Sequence, residues 1–142
     1  MKDDPCPLLV IALVGRVGSG VSFVRDKILQ ELKTYKYDTE VIDVSDVFLD
    51  RFYESYAEED SQSNDLTSGS KADRTRELQR RGNYLREKHG PEFVARAAFQ
   101  DFIATDIGSE PGLENRRAYI IDSLKNPQES LYLRRVFGLS YV

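Results

Sequence analysis

Residues 8–22, Leu8-Leu9-Val10-Ile11-Ala12-Leu13-Val14-Gly15-Arg16-Val17-Gly18-Ser19-Gly20-Val21-Ser22, hold the change of pattern that decides the fold. The first seven are continuously apolar and rich in branched side chains, as a strand covered on both faces of a parallel sheet requires. Gly15 ends the run. From Val21 the apolar positions Val21, Val24, Ile28 and Leu32 recur at helical spacing among Arg25, Lys27, Glu31 and Lys33. A buried strand therefore runs through a glycine-rich turn straight into an amphipathic helix.

The same alternation continues downstream. Thr39–Val44 predicts a second strand, with Ser45-Asp46 capping a helix through about Ala57. Residues 58–70, EEDSQSNDLTSGS, have little apolar surface with which to offset ordering entropy, which predicts a mobile loop. Helices are predicted over Ala72–Lys88 and Pro91–Thr105, the second with Pro91 in its first helical position and Val94, Ala98 and Phe102 on one stripe. After a turn-rich stretch, Arg117–Asp122 reads as a third strand. Asn126-Pro127-Gln128-Glu129 then supplies an N-cap, a first-turn proline and a box-like Glu for a helix ending at Phe137, before Gly138. Leu139–Val142 resembles the start of another strand, so the sheet is expected to be truncated at the C-terminus, with an open edge that invites a homo-oligomer.

Composition narrows the functions open to this chain. Its 142 residues suffice for one domain with a real core, and 20 Lys+Arg against 24 Asp+Glu give a formal charge of −4, with no global field for nucleic acid or anionic lipid. A single cysteine, Cys6, and a single histidine, His89, exclude an internal disulfide and a Cys/His zinc site within these residues, and both are expected to have structural roles. The longest apolar run is too short to span a bilayer, and Lys2-Asp3-Asp4 lacks the basic start of a signal peptide, so a cytoplasmic protein without a membrane partner is expected.

Gly15 to Ser22 has the form G-x-x-x-x-G-x-S. A loop that cradles phosphates needs glycines where the backbone folds closely around anionic oxygens, and a following helix N-terminus whose partial charge adds attraction. The expected nucleotide- or phosphate-binding set is therefore Gly15, Arg16, Gly18, Ser19, Gly20, Val21 and Ser22. A complete P-loop carries Lys before the Ser/Thr; here Val21 takes that place, which favours binding over catalysis, and no catalytic residue is assigned. Arg16, Arg25 and Lys125 are candidate replacements for the charge. Ser22 and Asp122 are candidate Mg²⁺ ligands for a nucleotide-bound metal, and Asp43 is a further candidate at a strand end. The alternative is a tight connection without a ligand; a dinucleotide-type G-x-G-x-x-G is excluded by Phe23. Lys71, Arg74, Arg76, Arg80, Arg81, Arg86 and Lys88 make the 71–88 helix basic, fit for phosphates, an RNA inhibitor or the acidic loop before it, or else simply a solvated face.

The stretches LVIALVGRVGSGVS (9–22), GNYLREKHGPEFVARAA (82–98) and RRAYIIDSLKNPQESLYLRRVFG (116–138) resemble the P-loop, nucleotide kinase-like domain at the N-terminus of bacterial anti-phage dCTP deaminases related to deoxycytidylate deaminases. The layout is also similar to small nucleotide kinases of the adenylate kinase and dephospho-CoA kinase type. The resemblance implies a three-layer α/β P-loop NTPase fold over residues 1–142 with a mostly parallel sheet. It also implies a nucleoside triphosphate ligand, dCTP or ATP, and a regulatory role for a deaminase domain of a longer parent that depletes deoxycytidine nucleotides in antiviral defence. Such deaminases hold zinc through H-x-E and P-C-x-x-C motifs. Neither motif occurs in this chain, so zinc belongs only to the absent deaminase domain, and these residues alone are not expected to deaminate. The rival readings are a small-molecule phosphotransferase and a protein or RNA interaction module with a vestigial loop.

Overall fold

In the computed structural model, residues 8–16, 18–104 and 116–142 are described, without the side chains of residues 46, 47, 102 and 104. Three parallel strands, β1 (Leu8–Val14), β2 (Asp38–Asp43) and β3 (Arg117–Leu124), form a sheet in the order β1-β3-β2. Ile120 of β3 lies between Ile11 and Val41, while Asp122 lies between Leu13 and Asp43. Both adjoining acids thus sit at the carboxyl ends of their strands. The β1–β3 register slips after Leu13, so that Val14 stands opposite Leu124.

Alternation along the strands builds two cores, as expected for strands covered on both faces. Val10, Ile42, Tyr119 and Ile121 belong to the larger one; Leu13, Ala118 and Ile120 belong to the smaller, which is closed by Val21, Ile28, Leu29 and Leu32 of α1 (Val21–Thr34). The larger core is covered by a π-helix over Val44–Phe52, the short α2 (Tyr53–Tyr56), α3 (Lys71–His89), α4 (Phe93–Ala98) and α5 (Pro127–Phe137). The architecture is α/β with helices on both faces of a small parallel sheet. Among the described residues no helix is long and apolar enough to cross a membrane.

Several boundaries differ from the sequence reading for physical reasons. Ser45 does not precede a helix but lies inside one: the chain passes directly from Asp43 into helical turns at Val44. Val44, Phe48, Leu49, Tyr53 and Ala57 are all buried in the larger core, and the segment Val44–Phe52 runs as a π-helix. Pro91 is not the first helical residue. Gly90 adopts φ 114° and its carbonyl accepts from the Phe93 amide at 3.1 Å, so Pro91 occupies a turn and α4 begins at Phe93, continuing as a π-helix over Phe99–Ala104. Asn126 caps α5 as expected, with a capping box to Glu129. Of the strand expected at Leu139–Val142, Leu139 and Ser140 fall in a 3₁₀ turn (Gly138–Ser140), while Tyr141 bridges in parallel to Val10. Val142 exchanges hydrogen bonds with Val10 and Ala12, each 2.9 Å, along the edge of β1 away from β3. Cys6, Val17, Thr105 and the turn-rich stretch at 108–115 lie outside the described residues.

Candidate functional site

The glycine turn between β1 and α1 is shaped by three different demands. A Cβ on Gly15 would run into Val21 Cγ2 and lie 2.7 Å from Ser19 Oγ, so only glycine fits this close approach. Gly18 (φ 80°) and Gly20 (φ 81°) adopt the left-handed conformation that side chains disfavour. The Ser19 amide donates to the Arg16 carbonyl at 3.1 Å and tightens the turn. Gly20 is the N-cap of α1 and brings no side chain to its first-turn amides, and no acid lies in that turn, leaving the positive end of the helix uncompensated from within. Val21, in the position a P-loop gives to lysine, packs with the smaller core.

This turn opens onto a cleft of about 870 Å³. Gly18 to Ser22 form one side; Asp43 and Asp122 come from the strand ends, Lys125 from the turn after β3, and Lys71, Arg74 and Arg86 from α3. Six cationic side chains, the others being Arg16 and Arg25, face two carboxylates, so the lining is net positive although the chain is net negative.

Most of these cations are individually held. Arg25 donates to Asp122 Oδ2 at 3.1 Å and to Asp26 at 3.1 Å; the bond to Asp26 and, after it, the charge of Asp122 raise its pKa above the usual arginine value. Arg74 pairs with Asp50 at 3.2 Å. Arg86 meets the fully buried Glu129 at 2.7 Å, and Glu129 Oε2 also accepts from the backbone amides of Lys125 and Asn126, each at 3.0 Å. Lys125 Nζ donates to the Gly15 carbonyl and to Ser123 Oγ, both at 2.6 Å. One buried carboxylate thus fixes both the α3 wall and the Lys125 turn.

The other face of α3 is structural. Glu77 receives Arg80, Arg81 and both the amide and side chain of Asn64, while Asp60 receives Arg80 and Tyr53. Burial alone would push Glu77 up, but the hydrogen bonds from Arg80, Asn64 and Arg81 outweigh it and hold the carboxyl at about 2. Burial, followed by the bond to Asp60, raises the Tyr53 phenol well above its ordinary value. The 58–70 segment forms no long helix or strand but is tied to α3 through Asp60 and Asn64, and Lys88 reaches Glu59 at 2.8 Å. His89 stacks on Phe93, with centroids 4.4 Å apart, and its Nε2 lies 3.2 Å from the Tyr56 carbonyl oxygen.

The structure brings together most of the residues singled out in sequence: Arg16, Gly18, Ser19, Gly20, Val21 and Ser22 line one cleft with Asp122, Asp43, Arg25 and Lys125, whereas Gly15 lines a second pocket that shares Arg16 and Lys125 with it. The basic stripe of α3 divides. Arg80 and Arg81 belong to the buried network, Arg76 is exposed beside Asp73, and only Lys71, Arg74 and Arg86 reach the cleft. Sequence reading missed Ser45, Thr75, Gln79 and Asn83, which also line it. The spacing Lys71, Thr75, Gln79, Gly82, Arg86 is one helix face and was the available signal.

Ser22, Asp43 and Asp122, the oxygen donors that could hold a magnesium ion, line the same cleft, and Asp122 already accepts from Arg25 at 3.1 Å. Among the described residues no cluster of three or more His, Cys, Asp or Glu forms a cage of protein ligands. Compared with protein-family models, curated proteins and solved structures, the chain matches none.

Proposed function

We propose that this chain is a nucleotide-binding domain of the P-loop, nucleotide kinase-like class, which holds the phosphates of a nucleoside triphosphate at Gly15–Ser22. The observation that carries this reading is the convergence of the uncapped α1 N-terminus and its left-handed glycines on a cleft lined by six cations. Support comes also from the topology. The β1 strand lies between β3 on one side and Tyr141 on the other, and α/β sheets bind ligands at the carboxyl ends of strands where connections diverge in this way. Ser22 and Asp122 would hold Mg²⁺ with the nucleotide, and the ion would supply charge neutralisation between phosphate oxygens.

The sequence resemblance extends the proposal to a regulatory role beside a zinc-dependent deoxycytidine nucleotide deaminase domain in a longer parent. Titration calorimetry with dCTP and ATP, with and without Mg²⁺, tests the binding reading. Heat that disappears in Gly20→Asp supports it, and no heat at millimolar nucleotide refutes it. A phosphotransferase is favoured by one further observation, the second basic wall of Lys71, Arg74 and Arg86 across the cleft. Coupled-assay turnover of ATP with a nucleoside or nucleotide acceptor separates it from a binding domain.

A further inference from the structure

We propose that Lys125, reaching across from the turn after β3, supplies to the ligand's terminal phosphates the cation that the glycine turn lacks at Val21; this rests on the phosphate-binding reading above. Val21 cannot play that role itself, because its side chain is apolar and packs, partly buried, against the smaller core. Of the other five cations, three are held differently, while Arg16 and Lys71 line the cleft without the tether to Gly15 that places Lys125 at the turn. Arg25, Arg74 and Arg86 each face a carboxylate, at 3.1, 3.2 and 2.7 Å, which offsets their charge.

Lys125 is held by neutral oxygens instead. Its ammonium donates to the Gly15 carbonyl and to Ser123 Oγ, both at 2.6 Å, and an ammonium has three donors. Two fix it at the mouth of the glycine turn, and one remains for an anion. Among the described residues no carboxylate pairs with it, so its positive charge stands beside the cleft that Gly18 to Ser22 line, and the tether removes much of the rotamer entropy that a free lysine loses on binding. The buried Glu129, accepting from the Lys125 amide at 3.0 Å, fixes the backbone from which the side chain springs.

The test is calorimetry of the full chain with ATP, AMP and inorganic tripolyphosphate, on wild type, Lys125→Ala and Lys125→Arg, with melting curves to show that the exposed substitution leaves folding intact. A charge-assisted contact to the outer phosphates predicts ATP and tripolyphosphate affinities about ten- to a hundredfold weaker in Lys125→Ala, little change for AMP, and partial recovery in Lys125→Arg. Equal ATP affinity in wild type and Lys125→Ala overturns this inference and leaves the phosphate-binding reading standing. An equal loss for ATP and AMP assigns Lys125 to shaping the turn through Gly15, which also overturns it. Absence of binding of any of the three ligands to wild type overturns the phosphate-binding reading itself.

Discussion

Replacing Glu129 by alanine should destabilise this protein strongly. The carboxylate is about 1% exposed and accepts from Arg86 at 2.7 Å and from the amides of Lys125 and Asn126 at 3.0 Å each. Alanine leaves the Arg86 guanidinium, itself mostly buried, without its counter-charge and two backbone donors without an acceptor. Breaking one side of a buried pair costs about 3–5 kcal/mol, which for a chain of this size lowers the melting temperature by roughly 10–17 °C. Glu129→Gln keeps the shape and one acceptor and should cost about 1.5–3 kcal/mol. Removing both charges in Arg86→Met/Glu129→Met should cost less than Glu129→Ala alone, because no orphaned charge remains. Urea unfolding followed by circular dichroism measures each value. A loss below about 1 kcal/mol in Glu129→Ala would refute the claim that this residue organises the cleft wall.

Other substitutions probe separate parts of the account. Glu77 titrates at about 2 in the folded chain against an ordinary 4.5, so its network contributes about 3 kcal/mol that is fully present above pH 4.5 and lost as pH falls toward 2. Urea midpoints between pH 7 and pH 3 should drop steeply in wild type and more shallowly in Glu77→Gln; parallel profiles would exclude Glu77 as the source. Gly15→Ala should cost about 1–3 kcal/mol through the collision with Val21 and weaken ATP binding, and Val21→Ala added to it should recover part of the stability, as thermal melts of both variants will report. Asp122→Asn removes a candidate metal ligand and releases Arg25, so ATP affinity measured with and without a chelator should lose its Mg²⁺ dependence while metal-free binding is retained or strengthened.

The parts of the fold that could be read in advance are those in which local pattern and tertiary burial agree. The apolar run of β1, the helical spacing of α1 and the Asn126 to Glu129 box each specify one outcome, and the structure places the elements where those residues do. The segment from Val44 is different. Its direct entry from Asp43 puts Ser45 inside the helix, and Val44, Phe48 and Tyr53 all reach one core through a π-helical segment that no capping residue indicates. Pro91 was misplaced for a similar reason, since Gly90 provides a turn before the helix.

The glycine turn was legible because backbone geometry demands glycine at particular positions. The composition of the opposite wall was not. Lys71, Arg74 and Arg86 resemble Arg80 and Arg81 in sequence, and only the packing of α3 shows which point toward the cleft and which are bound into the Glu77 and Asp60 network. Asp43 and Asp122 likewise become neighbours through the parallel pairing of strands separated by most of the chain.

The central claim is that the backbone between Gly15 and Ser22 binds phosphate. Amide chemical shifts of the ¹⁵N-labelled chain, followed as ATP with Mg²⁺ is added, test it at the atoms concerned. Saturable shifts at Gly18, Gly20 and Ser22, with Lys125 moving in step, are the predicted result. Saturable shifts confined to surfaces away from this turn, or none at millimolar ATP, would contradict it.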